Sequence, residues 1–303
     1  MKNLFILLFV SLAIFSFGQN RYKAEKTTID LTDTLVYLRS NMELVQGIIY
    51  SKHENGQLKY EYNYKDGKLE GIARYWYENG KLRYEQNNKE GKLDGICKDW
   101  YESGQLSFEC NFKEGKRDGI AKKWFENGKL KYECNYKDGI ENGIHRYWDY
   151  SGQLSSDHNY KEGKRDGICK DWYENGKLKS EKNYTAGKEY GICKEWFENG
   201  KLQTDYYYKE GKLGGLCKDW YKNGQLMFEG YFKEGKVEGI GRQWYENGQL
   251  FFEVNFKEGN PEGILKAWHE NGQLKTEKNY KNNMIISEKC WDTLGKEIIC
   301  QNK

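Results

Sequence analysis

Proline is all but missing from these 303 residues: Pro261 stands alone against 34 glycines. Turns must therefore come from glycine and asparagine, which tolerate positive φ. Long apolar runs are equally scarce. The longest, from Leu4 to Ile14, is too short for a comfortable membrane span. Charge of one sign is lacking too: 49 basic residues face 46 acidic ones, net +3, and clusters such as KEGKRDG interleave the two. Nucleic-acid binders gather positive charge on one face, so a mixed-charge solvated surface and no nucleic-acid partner are expected. The four histidines are too few and scattered to make a metal site. No Gly-x-Ser-x-Gly elbow, His-Glu-x-x-His, Cys-x-x-Cys or phosphate-binding glycine loop occurs. An enzyme is not expected, nor a cofactor, a metal or a small-molecule substrate.

The N-terminus has the pattern of a secretory signal. Lys2 supplies the positive start, the apolar run follows, and Ser16-Phe17-Gly18 offers small residues before a cut after Gly18. No cysteine follows the run to carry a lipid. The expected protein is exported: periplasmic, outer-membrane-associated or secreted. Eight cysteines in such a chain make disulfides feasible.

Aromatic residues make up 16% of the chain, far from the aromatic-poor profile of disorder, and they recur. Asn-Gly or Ser-Gly turn glycines fall every 24 residues from Gly56 to Gly272, and tryptophans every 24 from Trp76 to Trp268, with Trp291 after 23. Taking Gly71–Asp94 as one unit, with Gly71 as position 1, ten units run from Gly47 to about Ile286. Position 2 is Ile or Leu and position 12 Leu in all ten, and position 15 is Glu or Asp. Position 18 is aromatic except at Asn88, and the first unit carries Lys52 in place of Trp at position 6. An atypical end unit suits a capped array.

Each unit holds an Asn-Gly turn signal and a Lys-Asp/Glu-Gly-Lys-x-x-Gly loop, separated by strand-forming runs. The expected fold is all-β: an elongated, single-layer antiparallel β-meander of about ten 24-residue hairpin repeats. The expected divisions are a signal peptide at 1–18, a lead-in and cap at 19–46, repeats at 47–286 and a capping hairpin at 287–303. Adjacent units should lie about 9.6 Å apart, two strand spacings. Side-chain alternation predicts one apolar face from the even positions 2, 6, 12, 14 and 18. That parity needs a three-residue Asn-Gly turn ending in a bulged glycine. It also lets the seven-residue loop set position 18 against position 2 of the next unit, and 14 against 6.

The pattern aromatic-x-Lys-Asp/Glu-Gly-Lys-x-x-Gly followed by x-x-x-Trp-Tyr-x-Asn-Gly, as in Tyr136-Lys137-Asp138-Gly139 through Gly143 to Trp148, resembles the MORN repeat in its bacterial variant form. The resemblance covers about Gly47 to Leu294. It implies a hairpin meander with a role in protein–protein contact or membrane apposition; some members resemble the antitoxin half of toxin–antitoxin modules. Nothing in this chain corresponds to the kinase domain that accompanies such repeats elsewhere.

Carboxylates recur in every unit, which indicates charge pairing, since a catalytic pair needs one special environment. His145 and His158, at positions 3 and 16 of one unit, are expected as neighbouring exposed strand residues. Cys97 and Cys110 hold the same positions in another unit, where a bridge would need the register that parity disfavours. Cys169, Cys193 and Cys217, at position 3 of successive units, are too far apart to bridge. Position 7 carries an odd-numbered aromatic stripe, Tyr77, Tyr101, Phe125, Tyr173, Phe197, Tyr221 and Tyr245, expected on the polar face as the candidate binding surface. Cys290 and Cys300 flank a short hairpin and are the candidate disulfide. The expected partner is an unidentified protein held by a scaffold. The alternatives are anionic head groups at a membrane or cell envelope, met by loops such as KEGKRDG, and a toxin bound by an antitoxin or immunity-type protein.

Overall fold

The computed structural model describes residues 19–29 and 34–300. The expected signal peptide lies outside the described residues. Strand is almost the only regular structure among the described residues; the exception is one 3-10 turn, Ala24–Lys26. The chain forms two units, 1–104 and 105–303.

In the first unit, Gly47–Lys52, Leu58–Lys65, Lys68–Trp76, Leu82–Lys89 and Lys92–Trp100 pair antiparallel in succession. Residues 19–29 and 34–46 cap that sheet. Arg21–Lys23 runs parallel beside the first of these strands, and a small hairpin pairs Thr27–Ile29 with Val36–Leu38. Buried Val36, Val45 and Ile49 form a core against Tyr22, Leu38, Tyr60 and Tyr64. The Val36 amide donates to Gly67 O at 3.0 Å, tying the cap to a repeat turn. In the second unit a meander runs from Leu106–Lys113 to Met284–Trp291, successive strands pairing antiparallel, and ends on Glu297–Ile298.

The Asn-Gly turn is the bulged three-residue loop. Phe125 N donates to Lys129 O at 2.8 Å and Gly128 N to Phe125 O at 2.9 Å, with Gly128 at φ 84°. Trp124 therefore faces Leu130, but the register then shifts and Lys123 faces Tyr132. The other turn differs from the expected seven-residue loop. Lys113 pairs directly with Lys116 across Glu114 (φ 50°) and Gly115 (φ 81°), a two-residue primed turn whose twist matches the strands. The rest of the expected loop belongs to a strand with a bulge. Tyr136 faces Glu141 and Cys134 faces His145, so Asn135 alone spans Asn142, Gly143 and Ile144. Its side-chain amide donates to the Ile144 carbonyl at 2.6 Å, and Asn87 does the same for Ile96 at 3.1 Å. That bond satisfies an oxygen the interrupted ladder leaves free.

These irregularities break the even-position face. Opposite Trp at 6, positions 13 and 14 fall on the same side: Arg83 (13) lies 5.4 Å from the centre of the Tyr75 ring (5), and Tyr75 stacks on Tyr84 (14) at 5.7 Å. One face therefore carries positions 3, 5, 7, 13, 14, 16 and 18. By alternation the other carries 2, 4, 6, 12, 15 and 17. Trp and Leu at 6 and 12 share a side, as expected, but the aromatics at 14 and 18 lie opposite them.

Side chains and backbone also join one repeat to the next along both rims. Asn175 Nδ2 donates to Glu198 O at 2.9 Å, while its Oδ1 accepts from Lys177 N at 3.0 Å. At the other rim Gly187 N donates to Arg165 O at 2.8 Å. Bonds of this kind recur at successive repeats and bind hairpins that would be marginal alone.

Candidate functional site

The aromatic face is built around a buried row at positions 3 and 16. Ala121 faces Cys134, Cys134 faces His145, and His145 faces His158. Ala121, Cys110, Cys134, Cys169, Cys193, Cys217 and Val254 are all buried, as are both histidines. Small side chains sit here beside the tyrosine and phenylalanine rings of position 18, and those of position 14 where it is aromatic, on the same face. The histidines, expected to be exposed, are buried there too. His145 is the largest fully buried side chain, with the Tyr136 and Tyr160 ring centres 5.6 and 4.5 Å away. The two imidazoles do not share a ligand: His145 Nε2 meets Asn135 O at 2.8 Å, and His158 Nε2 meets Asp171 Oδ1 at 2.9 Å.

A diagonal link from position 16 to position 5 of the next repeat recurs with changing chemistry. It is Cys134 Sγ to Tyr147 OH at 3.6 Å, His158 to Asp171, Lys182 Nζ to Glu195 Oε1 at 2.5 Å, and Tyr206 OH to Asp219 Oδ1 at 2.5 Å. Burial alone would push the Asp171 carboxyl up, but hydrogen bonds from His158 and Ser180 hold it at about 2. At Asp219 burial prevails over the Tyr206 bond and the carboxyl rises. Because the Asp171 value is depressed on folding, its contribution to stability is present above about pH 4 and is lost as pH falls towards 2. Asp171→Asn should therefore flatten the acid loss of stability in that window. Urea midpoints measured down the pH range would show it, and an unchanged slope would refute the assignment.

Beside these links lies a cleft of about 200 Å³, lined among others by Arg165, Asp171, Tyr173, Lys179, Lys182 and Glu195. Its acids are already engaged by His158 and Lys182. Arg165 lies over the Tyr184 ring at 5.4 Å, and Lys179 over Tyr173 at 5.8 Å. Cys169 is in the lining, but burial pushes its thiol up, and a protonated thiol is a poor nucleophile. Among the described residues, Cys97, Cys110, Cys134, Cys169, Cys193 and Cys217 take part in no disulfide.

The opposite face holds what the sequence reading misplaced. Position 2, expected in the apolar face, is exposed: Ile120 46%, Ile144 39%, Ile168 48%, Ile192 54%, Leu216 51%, Ile240 51% and Ile264 53% in the second unit. Charged rungs flank this aliphatic row. Position 4 pairs with position 15 directly across the hairpin: Lys122–Glu133 3.0 Å, Arg146–Asp157 3.1 Å, Lys170–Glu181 2.8 Å, Lys218–Glu229 2.8 Å and Arg242–Glu253 2.6 Å. Each is half-exposed and contributes little alone, roughly 0.2–1 kcal/mol. Together they leave a face whose charges are internally neutralised. The signal was in the sequence: position 2 pairs with the asparagine at 17, as Ile168 does with Asn183.

The position 7 stripe lies on the aromatic face, not the polar one, because the bulge reverses the parity. Tyr77, Tyr101, Phe125, Tyr173, Phe197, Tyr221 and Tyr245 are half-buried. Tyr173, Tyr221 and Tyr245 donate their hydroxyls to the carbonyls of Trp196, Trp244 and Trp268 in the next repeat at 2.7, 2.7 and 2.9 Å. His269 stands in the same place and meets Trp291 O at 3.0 Å. Position 7 is thus a clip between repeats. Cys290 and Cys300 are joined in a disulfide, with Cα atoms 5.3 Å apart.

The family described as MORN repeat variant matches residues 45–66, 69–88, 93–114, 117–138, 165–186, 189–212, 213–234, 237–258 and 261–282. The chain belongs to that family. The stretch its MORN repeats leave unmatched, 139–164, contains His145, Asp149, Ser156 and His158, yet it keeps the hairpin register from Gly143↔Tyr160 to Trp148↔Leu154. No curated protein matches the chain. Two solved structures are similar to it, "Crystal Structure of TcdB2-TccC3-Cdc42" at 10% identity and "Crystal Structure of TcdB2-TccC3" at 12%. They match over 89% and 85% of this chain but 18% and 19% of theirs, with TM-scores of 0.20 and 0.17. This MORN repeat chain spans under a fifth of their length.

Proposed function

We propose that this chain is a non-catalytic, exported scaffold that binds a protein through the aliphatic row at repeat position 2. The observation that carries this reading is the even exposure of Ile120, Ile144, Ile168, Ile192, Leu216, Ile240 and Ile264 on one sheet face. Aliphatic side chains held half in water at rungs about 9.6 Å apart lower the cost of docking a matching apolar surface, and extended apolar patches mark such contacts. The paired charges on either side favour a protein over an anionic bilayer, since the position 4 cations of that face are held by the acids at position 15. A toxin protein is one partner within this reading. Export is supported by the N-terminal pattern at 1–18 and by the Cys290–Cys300 bridge, which suits an oxidising compartment.

The test places a photo-crosslinker at Ile192, or at Gln203 on the opposite face, in the native host. A partner should crosslink from Ile192 and not from Gln203. Once that partner is purified, Ile192→Lys with Leu216→Lys should weaken binding by roughly a hundredfold, two contacts at about 1.4 kcal/mol each. Crosslinking from Gln203 alone would overturn the assignment. So would binding to phosphatidylglycerol vesicles that high salt abolishes, which would favour the head-group alternative.

A further inference from the structure

The last full strand, Met284–Trp291, breaks the pattern of protection seen elsewhere. On its inner side it pairs with Leu274–Lys281, from Lys281↔Met284 to Thr276↔Cys290. On its outer side, among the described residues, only Cys290 and Trp291 find partners, Ile298 and Glu297. Residues 284–289 thus present an open edge about 20 Å long. Open edges are ordinarily blunted by charge. Three enclosed strands of this unit carry charges at both positions 22 and 24: Lys116 and Asp118, Lys164 and Asp166, and Lys236 and Glu238. The other four keep at least one polar or charged residue there, as Asn142 beside Ile140. On the one open strand the same positions are Met284 and Ile286, 65% and 57% exposed, with Ile285 between them at 48%.

The bulge that interrupts the enclosed strands is reduced here as well. Ser287 stands in place of the positive-φ glycine and is not itself at positive φ. Asn279↔Ser287 and Tyr280↔Ile285 leave out Ile286 alone. In the first unit the corresponding outer strand is closed by design: Arg21–Lys23 is short, and two of its three residues are cationic.

We infer that residues 284–289 are a homodimerisation edge, at which two copies of this chain pair antiparallel about a two-fold axis. The charges choose the direction. A parallel pairing would set Glu288 on Glu288 and Lys289 on Lys289. An antiparallel pairing centred on Ile286 sets Glu288 opposite Met284 and Lys289 opposite the uncharged Asn283 of the other copy, and brings the Met-Ile-Ile stretches together. An isologous edge closes after two copies and gives a dimer instead of a fibre. The Cys290–Cys300 bridge holds the short Glu297–Ile298 strand at the far end of Met284–Trp291 and leaves the edge clear.

Sedimentation velocity on the purified chain, from nanomolar to high micromolar, decides it. The chain should pass from monomer to dimer, and amide exchange over 284–289 should slow with concentration. Met284→Lys with Ile286→Glu restores charges of the kind the enclosed repeats carry, so the variant should fold with unchanged circular dichroism and melting. It should dimerise at least roughly tenfold more weakly, a change of about 1.4 kcal/mol. Ile192→Lys, on the aliphatic row, should leave the dimer intact. A wild type that stays monomeric throughout would overturn the inference. So would a charge-restored variant that dimerises as before, or a dimer that Ile192→Lys dissolves.

Discussion

His145→Ala is expected to lower unfolding free energy by roughly 3 kcal/mol, within the 2–5 kcal/mol typical of large-to-small changes in a packed interior. The side chain is 0% exposed and lies between the Tyr136 and Tyr160 rings. Alanine would leave a void that the flanking strands cannot close, because their backbones are fixed by ladders on both sides. It would also remove the Nε2 partner of the Asn135 carbonyl, an oxygen on the strand that faces the bulge. In a repeat array each unit depends chiefly on its neighbours. The loss should therefore be local: hydrogen exchange should accelerate in Leu130–Lys137, Ile140–Trp148 and Leu154–Lys161, and change little in Leu250–Lys257. A urea midpoint within error of wild type, or uniform acceleration throughout the second unit, would contradict this account.

Gly143→Val should cost a similar amount, roughly 2–4 kcal/mol, for a different reason. Gly143 sits at φ +107°, and a Cβ there would lie 3.1 Å from Asn135 Cβ and 3.5 Å from its Cγ. The asparagine cannot withdraw, because its amide holds the Ile144 carbonyl. Gly191 occupies the same repeat position at φ +72° with nothing within 4 Å of the added carbon. Gly191→Val should therefore carry the torsional cost alone and be milder by about 1 kcal/mol. Thermal and urea unfolding of the two variants side by side provide the measurement. Equal losses would show that backbone torsion, and not the approach of Asn135, sets the requirement for glycine at position 1.

How the repeat reads from sequence differs sharply between its two turns. The Asn-Gly loop was legible in full, because Asn79-Gly80 and its counterparts carry a known turn chemistry and the loop length follows from it. The Glu-Gly loop was legible in its residues but not in its length. Glu114-Gly115 makes a two-residue turn although glutamate is not a usual left-handed residue. The glycine four positions on, such as Gly119 or Gly143, belongs to a bulge within the strand. Asn135 and the other asparagines at position 17 read as polar-face residues. Their function, holding a carbonyl that the bulge frees, depends on an interruption of the ladder that has no signature of its own. The hydroxyls at position 7 are similar: Tyr173 looks like an exposed ring until Trp196 O is found 2.7 Å away in the next repeat.

The sequence by itself determined the period, the strand class, the succession of hairpins and the family, because these follow from local turn chemistry repeated at a fixed interval. Only the tertiary structure decided which side chains share a face. One unpaired residue in a strand reverses the parity of everything beyond it, and each repeat contains two such irregularities. That reversal moves Ile168 and its equivalents from the expected interior to water, and it buries His145 and Cys169 beneath the tyrosines. The open edge at Met284 has the same origin. Whether a strand has a neighbour is a property of the assembled sheet, and a run of Met-Ile-Ile reads the same in sequence with or without one.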